Sequence, residues 1–238
     1  MEGRRLALNT LAPVGARVVD AAFALVYLRL LGRTDVGTYQ FVVVFTTYLD
    51  TLIDFGLNAL VAREVARASV AARVAFQAVN AIRLVLWLAG LPLVALVYGP
   101  LRERANLSPE AVLAGWVFYA ALLPTVLAKT STGLLWAVER LELTAGVSVL
   151  ATMLRTGLGA AVLFGGLGLV GLAGASLVTN IVTAVALWRL AATRALAATP
   201  TLATATPTRA SSKVLWLKES WPLFINQLLQ GLFFKVDA

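Results

Sequence analysis

The sequence contains no cysteine and no histidine. Without thiols there is no disulfide, no thiolate metal site and no cysteine nucleophile. Without imidazole the commonest general acid–base group is missing as well. Only carboxylates remain as metal ligands, and these suit hard cations such as Na⁺ or Mg²⁺. No cofactor is expected. Charge is also scarce. Charged residues fill 13% of the 238 positions and hydrophobic residues 60%, against about 25% and about 45–50% in soluble domains. With a mean hydropathy of +0.84, the composition belongs to the membrane class. The net charge of +8 does not point to nucleic acid, because the basic residues are dispersed between apolar stretches and form no single patch. The N-terminal stretch does not read as a secretory leader. It carries Arg17 and Asp20, is too long for such a segment and leads into another span.

What is present is a series of long apolar runs. A helix that crosses the hydrocarbon core needs roughly 20 mostly apolar residues. Six complete spans and most of a seventh are predicted, over residues 10–31, 39–60, 76–98, 112–136, 144–164, 168–189 and 221–238. The fold class is therefore all-α, a polytopic transmembrane helix bundle. The first two spans are joined by a predicted tight turn from Gly32 to Gly37. Arg4, Arg5, Arg63, Arg67, Arg73, Arg140, Arg189, Arg194, Arg209, Lys213 and Lys218 fall on one side, with Lys129 near a span end; only Arg29, Arg33, Arg102 and Arg104 fall on the other. The positive-inside rule then predicts a multi-pass protein of the cell (plasma or inner) membrane with a cytoplasmic N-terminus. Basic connections of this kind could contact anionic membrane lipids.

Residues 62–75 suit either an interfacial amphipathic helix or an extension of the neighbouring spans. Residues 191–219, rich in Ala, Thr and Pro in their first part, read as a cytoplasmic linker. The expected organisation is a six-helix lobe at 1–190, the linker at 191–219, and the start of a second lobe at 220–238. Gly165, Gly168, Gly171 and Gly174 recur every third residue, a pattern that lets membrane helices approach closely. Asn9–Ala21 and Asn226–Ala238 share Asn, Leu, Val, Asp and Ala at matching positions, a faint parallel repeat of six-helix halves with a binding site expected between them.

Charges within spans are expensive and usually face a bundle interior, a wet cavity or a partner charge. Arg17, Arg83, Arg155 and Lys235 are the cations, and Asp20, Asp50, Asp54 and Asp237 the anions. Arg17 and Asp20 share a helix face, as do Asp50 and Asp54. Both sets can serve as packing salt bridges, and the carboxylates as ion-coupling groups. Arg83 and Arg155 have no acidic neighbour on their own helix, and guanidinium forks suit phosphate oxygens. Pro13, Pro92 and Pro124 interrupt helices and offer kinks.

Several motifs carry a resemblance. They are Arg29-Leu30-Leu31-Gly32, Val36-Gly37-Thr38-Tyr39, Asp54-Phe55-Gly56-Leu57, Ala62-Arg63-Glu64-Val65-Ala66-Arg67 and Phe233-Phe234-Lys235-Val236-Asp237. In these, and in the spacing of its spans, the chain resembles the polysaccharide-biosynthesis flippases of the MOP exporter superfamily, which also holds lipid II flippases and MATE antiporters. The resemblance implies a two-lobed bundle of twelve to fourteen helices, of which this chain is the first lobe plus the start of helix 7. It implies movement of a lipid-pyrophosphate-linked oligosaccharide from the cytoplasmic to the outer leaflet by alternating access, for cell-surface polysaccharide biosynthesis, with Arg17, Arg83, Arg155 and Lys235 as cavity cations and polysaccharide-assembly proteins such as a glycosyltransferase as partners of the basic loops. A cation-coupled drug antiporter of the same superfamily is the alternative, with Asp20, Asp50 or Asp54 as coupling carboxylate. A non-transporting fragment, or a half-size scaffold that dimerises, is another. A membrane enzyme such as a polysaccharide polymerase fits poorly, since no loop is long enough to hold a catalytic domain.

Overall fold

The computed structural model describes residues 33–67, 70–100, 102–103, 107–196 and 213–236. All regular structure among them is helical: α1 Arg33–Asp54, α2 Leu57–Ala66, α3 Ala72–Tyr98, α4 Pro109–Ala137, α5 Leu141–Phe164, α6 Gly168–Ala191 and α7 Lys213–Val236. A π-helical turn, Ala192–Leu196, extends α6. Five stretches among the described residues are long and apolar enough to cross a membrane: Val36–Ala66, Ala72–Tyr98, Pro109–Ala137, Leu141–Phe164 and Gly168–Leu196. This is a polytopic helical membrane protein.

Several boundaries differ from the sequence expectation. The first predicted span lies outside the described residues. The Gly32–Gly37 turn is helical from Arg33 onward, because polar residues at a span's end can continue its backbone hydrogen bonding. Residues 62–75 do not form a helix of their own: α2 ends at Ala66 and α3 starts at Ala72, so each half extends a neighbouring span. Gly166 and Gly168 both have positive φ (74° and 55°) in the α5–α6 turn. The glycine periodicity therefore marks a reversal first and close packing only afterwards, where Gly171 faces Val162. The last helix begins at Lys213, within the stretch read as linker, and is less apolar than the five.

Local chemistry explains the ends. The Ser108 side chain caps α4 by accepting from the Ala111 N–H at 3.2 Å, and Pro109 occupies the first turn. There its missing N–H costs nothing, since the first turn's donors have no helical partner. The α1–α2 break falls at Phe55 (φ 47°) and Gly56 (φ 72°). Two successive left-handed residues cannot continue a right-handed helix.

α4 is the centre of the bundle. Half of its apolar stretch is buried, against 17–33% for the other spans. α1, α2, α3 and α6 pack around it, and α5 packs mainly on α6. Lipid is as apolar as leucine, so van der Waals fit and interhelical hydrogen bonds hold such a bundle. Trp87 on α3 and Tyr119 on α4 show both. Their rings stack at 5.2 Å, the indole N–H donates to the Tyr119 carbonyl at 3.2 Å, and the phenol donates to the Trp87 carbonyl. At Gly133 of α4 a side chain would meet Asn58 of α2 within 2.7 Å, so the two backbones approach as only glycine permits. Two apolar cores result. One holds Val42, Leu49, Ile53, Val94, Phe118 and Val126; the other holds Leu57, Leu60, Val61, Val79, Leu134 and Trp216.

Candidate functional site

The two cores meet at a layer of charge. Asp54 lies between Ile53 of one core and Leu57 of the other, and Thr130 lies between Val126 and Leu134. Arg83 of α3 fills the seam and is fully buried, as is Asp54 to within 2%. Its Nη2 donates to Asp54 Oδ1 at 2.5 Å. Its Nη1 donates to the Val126 carbonyl at 2.7 Å and to the Thr130 hydroxyl oxygen. The Thr130 hydroxyl donates in turn to Asn80 Oδ1 at 2.6 Å. A second pair stands one turn away. Lys129 Nζ of α4 donates to Asp50 Oδ2 of α1 at 2.8 Å, both side chains about a quarter exposed. Asp50 and Asp54 therefore do share a face of α1, and each meets a cation from another helix.

This quartet is neutral overall, as low-dielectric surroundings demand. It is also incompletely bonded: Arg83 Nε and Asp50 Oδ1 are enclosed with no hydrogen-bond partner among the described residues. Lys129 was missed as a member because it was placed near a span end. It stands well inside α4, where its ammonium reaches Asp50 of α1. Because the Asp50–Lys129 pair is partly exposed and the Asp54–Arg83 pair is not, Lys129→Gln should lower the melting temperature in detergent by clearly less than Arg83→Gln. Equal losses in the two variants would show that burial does not rank these pairs.

Arg155 stands elsewhere. It is exposed on α5 and lines a cavity of about 530 Å³ between α4, α5 and α6. α5 packs on α6 but scarcely on α4, and the cavity is the wedge this leaves. Thr132, Thr144, Ser148, Thr152, Thr179 and Asn180 share its wall. Thr132, Thr179 and Thr183 donate their hydroxyl protons to carbonyls one turn back on their own helices. Their oxygens keep lone pairs for a ligand's donors. Asn180 Nδ2 donates to the Ala121 carbonyl at 3.1 Å and pins α6 to α4.

The predicted site residues thus divide. Asp54 and Arg83 pair directly, Asp50 stands one turn away on Lys129, and Arg155 faces a separate cavity. Lys235 falls in α7, but its side chain lies outside the described residues, as do Arg17, Asp20 and Asp237. The hydroxyls of α6 were not anticipated; Thr179, Asn180 and Thr183 are polar positions at helical spacing on an otherwise apolar span, a signal that was present. No group of three or more metal-ligating residues occurs among the described residues.

The motif Asp54-Phe55-Gly56-Leu57 gains a meaning residue by residue. Asp54 receives Arg83. Phe55 stacks on Phe224 of α7 at 4.5 Å, Gly56 lets α7 approach, and Leu57 enters the second core. Comparison with known proteins agrees with the motif. No curated protein and no solved structure matches the chain. A model of the polysaccharide biosynthesis protein family does, over residues 4–238, which takes in all five apolar spans and both ion pairs. Members of this family are flippases and transporters, usually not enzymes. The chain belongs to the polysaccharide biosynthesis protein family, a flippase family of the MOP superfamily.

Proposed function

We propose that this protein moves lipid-pyrophosphate-linked oligosaccharides from the cytoplasmic to the outer leaflet by alternating access, for cell-surface polysaccharide biosynthesis. Family membership over residues 4–238 is the observation that carries this. The Arg155 wedge supports it: guanidinium donors suit anionic oxygens, and the hydroxyl oxygens around it suit sugar O–H donors. Arg155 is the cation we assign to substrate. The Arg83 guanidinium is enclosed and already holds three acceptors, so its proposed part is to brace the bundle that moves. Arg17 and Lys235 complete the proposed cation set, and residues 220–238 begin the second lobe. The end that carries Arg63, Arg67, Arg73, Arg140, Arg189 and Arg194 is cytoplasmic in this proposal.

Loss of the gene should abolish surface polysaccharide and leave its lipid-linked precursor in the inner leaflet. In the full-length protein, Arg155→Ala should lower surface polysaccharide at least about tenfold, the order expected when one charge-assisted contact is removed, with the protein present in the membrane at its normal level. Normal polysaccharide in that variant removes Arg155 from the path. Drug sensitivity without polysaccharide loss in the deletion strain would overturn the substrate class.

A further inference from the structure

A second recess, on a different face of α6, plays no part in the proposed path. Arg73, Phe76 and Gln77 from the first turns of α3 form one side. Trp188, Ala192 and Leu196, at the end of α6 and in its π-helical turn, form the other. Its volume is about 460 Å³. α3 and α6 both pack on α4 and hardly touch each other along their length, which leaves room for a furrow that continues the recess between them. Helical spacing continues each wall. Leu84 and Leu88 of α3, 43% and 48% exposed, follow Gln77 by two and three turns; Ile181 and Val185 of α6, 47% and 45% exposed, precede Trp188 by two turns and one. Exposed apolar side chains of this kind suit acyl chains, which are as apolar as leucine.

The mouth of the furrow is cationic. Arg73 is exposed and has no hydrogen bond or ion pair among the described residues. Ala71, the residue before α3, provides no side-chain cap, so the positive end of that helix adds to the charge. Arg189 and Arg194 belong to the same end of the bundle. Trp188, 49% exposed, has the amphipathic ring favoured at headgroup depth. No carboxylate lines the recess among the described residues. The cationic part of a choline or ethanolamine headgroup would find no carboxylate here.

We propose that this furrow is a binding site for an anionic glycerophospholipid of the membrane, separate from the transported lipid. Arg73 and Gln77 hold the phosphodiester, and the acyl chains run along Leu84 and Leu88 on one wall and Ile181 and Val185 on the other. The site is independent of the assignment of Arg155.

Native mass spectrometry of the purified full-length protein, with phosphatidylglycerol and phosphatidylcholine added in equal amounts, tests this. Wild type should retain phosphatidylglycerol in clear excess. Arg73→Gln should cut that excess about fivefold, the effect of one basic residue at an anionic headgroup, while Arg73→Lys keeps most of it. Arg102→Gln, at the opposite end of the bundle, should change nothing. A bulky Val185→Trp should reduce retention of phosphatidylglycerol with the charge untouched. Equal retention of the two lipids by wild type, or an unchanged excess in both Arg73→Gln and Val185→Trp, overturns the proposal.

Discussion

Replacing Arg83 by alanine is expected to destabilise the full-length protein by about 3–5 kcal/mol, the range for a buried ion pair that loses one partner. The cause is the anion left behind more than the lost attraction. Asp54 is 2% exposed and no water would reach it easily, so a bare carboxylate would remain in a low-dielectric seam. Thr130 and the Val126 carbonyl lose a donor in the same step. Removing both charges should therefore cost much less. The double variant Arg83→Met, Asp54→Leu should recover at least about 2 kcal/mol relative to the two single losses added together, a coupling within the range for residues in one network. Thermal unfolding in detergent, followed across the four proteins of the cycle, measures this. Strict additivity would mean that the pair does not hold the two cores together. Polysaccharide should fall in Arg83→Ala in step with the amount of folded protein. In Arg155→Ala it should fall without such loss.

Gly56→Val should separate α7 from the rest of the bundle. Gly56 has φ 72°, where a side chain costs roughly 1–2 kcal/mol and a β-branched one more. Space is the larger obstacle. A Cβ there would stand 2.9 Å from Leu223 Cβ and from the Phe224 backbone nitrogen. Backbone cannot step aside as a flexible side chain can, so α7 must shift. Phe55, held at φ 47°, stacks on Phe224 and touches Trp221 at 5.8 Å, and this contact should be lost with it. Because the chain has no cysteine, a pair introduced at positions 55 and 224 can be read without background from it. A short bifunctional maleimide should link the pair efficiently when Gly56 is present and at least about tenfold less in Gly56→Val, matching a loss of ~1.4 kcal/mol or more. Undiminished linking would show that α7 does not depend on the close approach at Gly56.

The spans were legible because each is a long apolar run, and the bilayer allows little besides a helix to satisfy a backbone in hydrocarbon. The expected span 39–60 differs from Val36–Ala66 mainly at its ends, where hydropathy fades before hydrogen bonding does. The facing of Asp50 and Asp54 was legible from a spacing of four. Their partners were not. Arg83 and Lys129 come from two other helices, and spacing within one helix carries no information about which neighbour it meets. Arg83 looked available because no acid shares its helix; its acid stood 29 residues earlier. The break at Phe55 and Gly56 also escaped, since phenylalanine gives no sign of a left-handed residue and one glycine inside a span is commonplace.

The seam of charge also bears on how the chain enters the bilayer. α3 has a mean hydropathy of 2.0 over its best window, enough to partition by itself, yet it must carry a guanidinium near its middle. An arginine there costs about 2.5–3.5 kcal/mol at the point of insertion. Synthesis runs from the N-terminus, so α1 is already in place with Asp54 and Asp50 on one face when α3 emerges. The acceptors precede both donors, and Lys129 follows last on α4. Each cation thus arrives in a bilayer that already holds its counter-ion. The order of the two signs along the polypeptide is a property of biosynthesis as much as of the finished bundle. Exchanging the members of the Asp54–Arg83 pair could keep the final contact and still slow membrane integration.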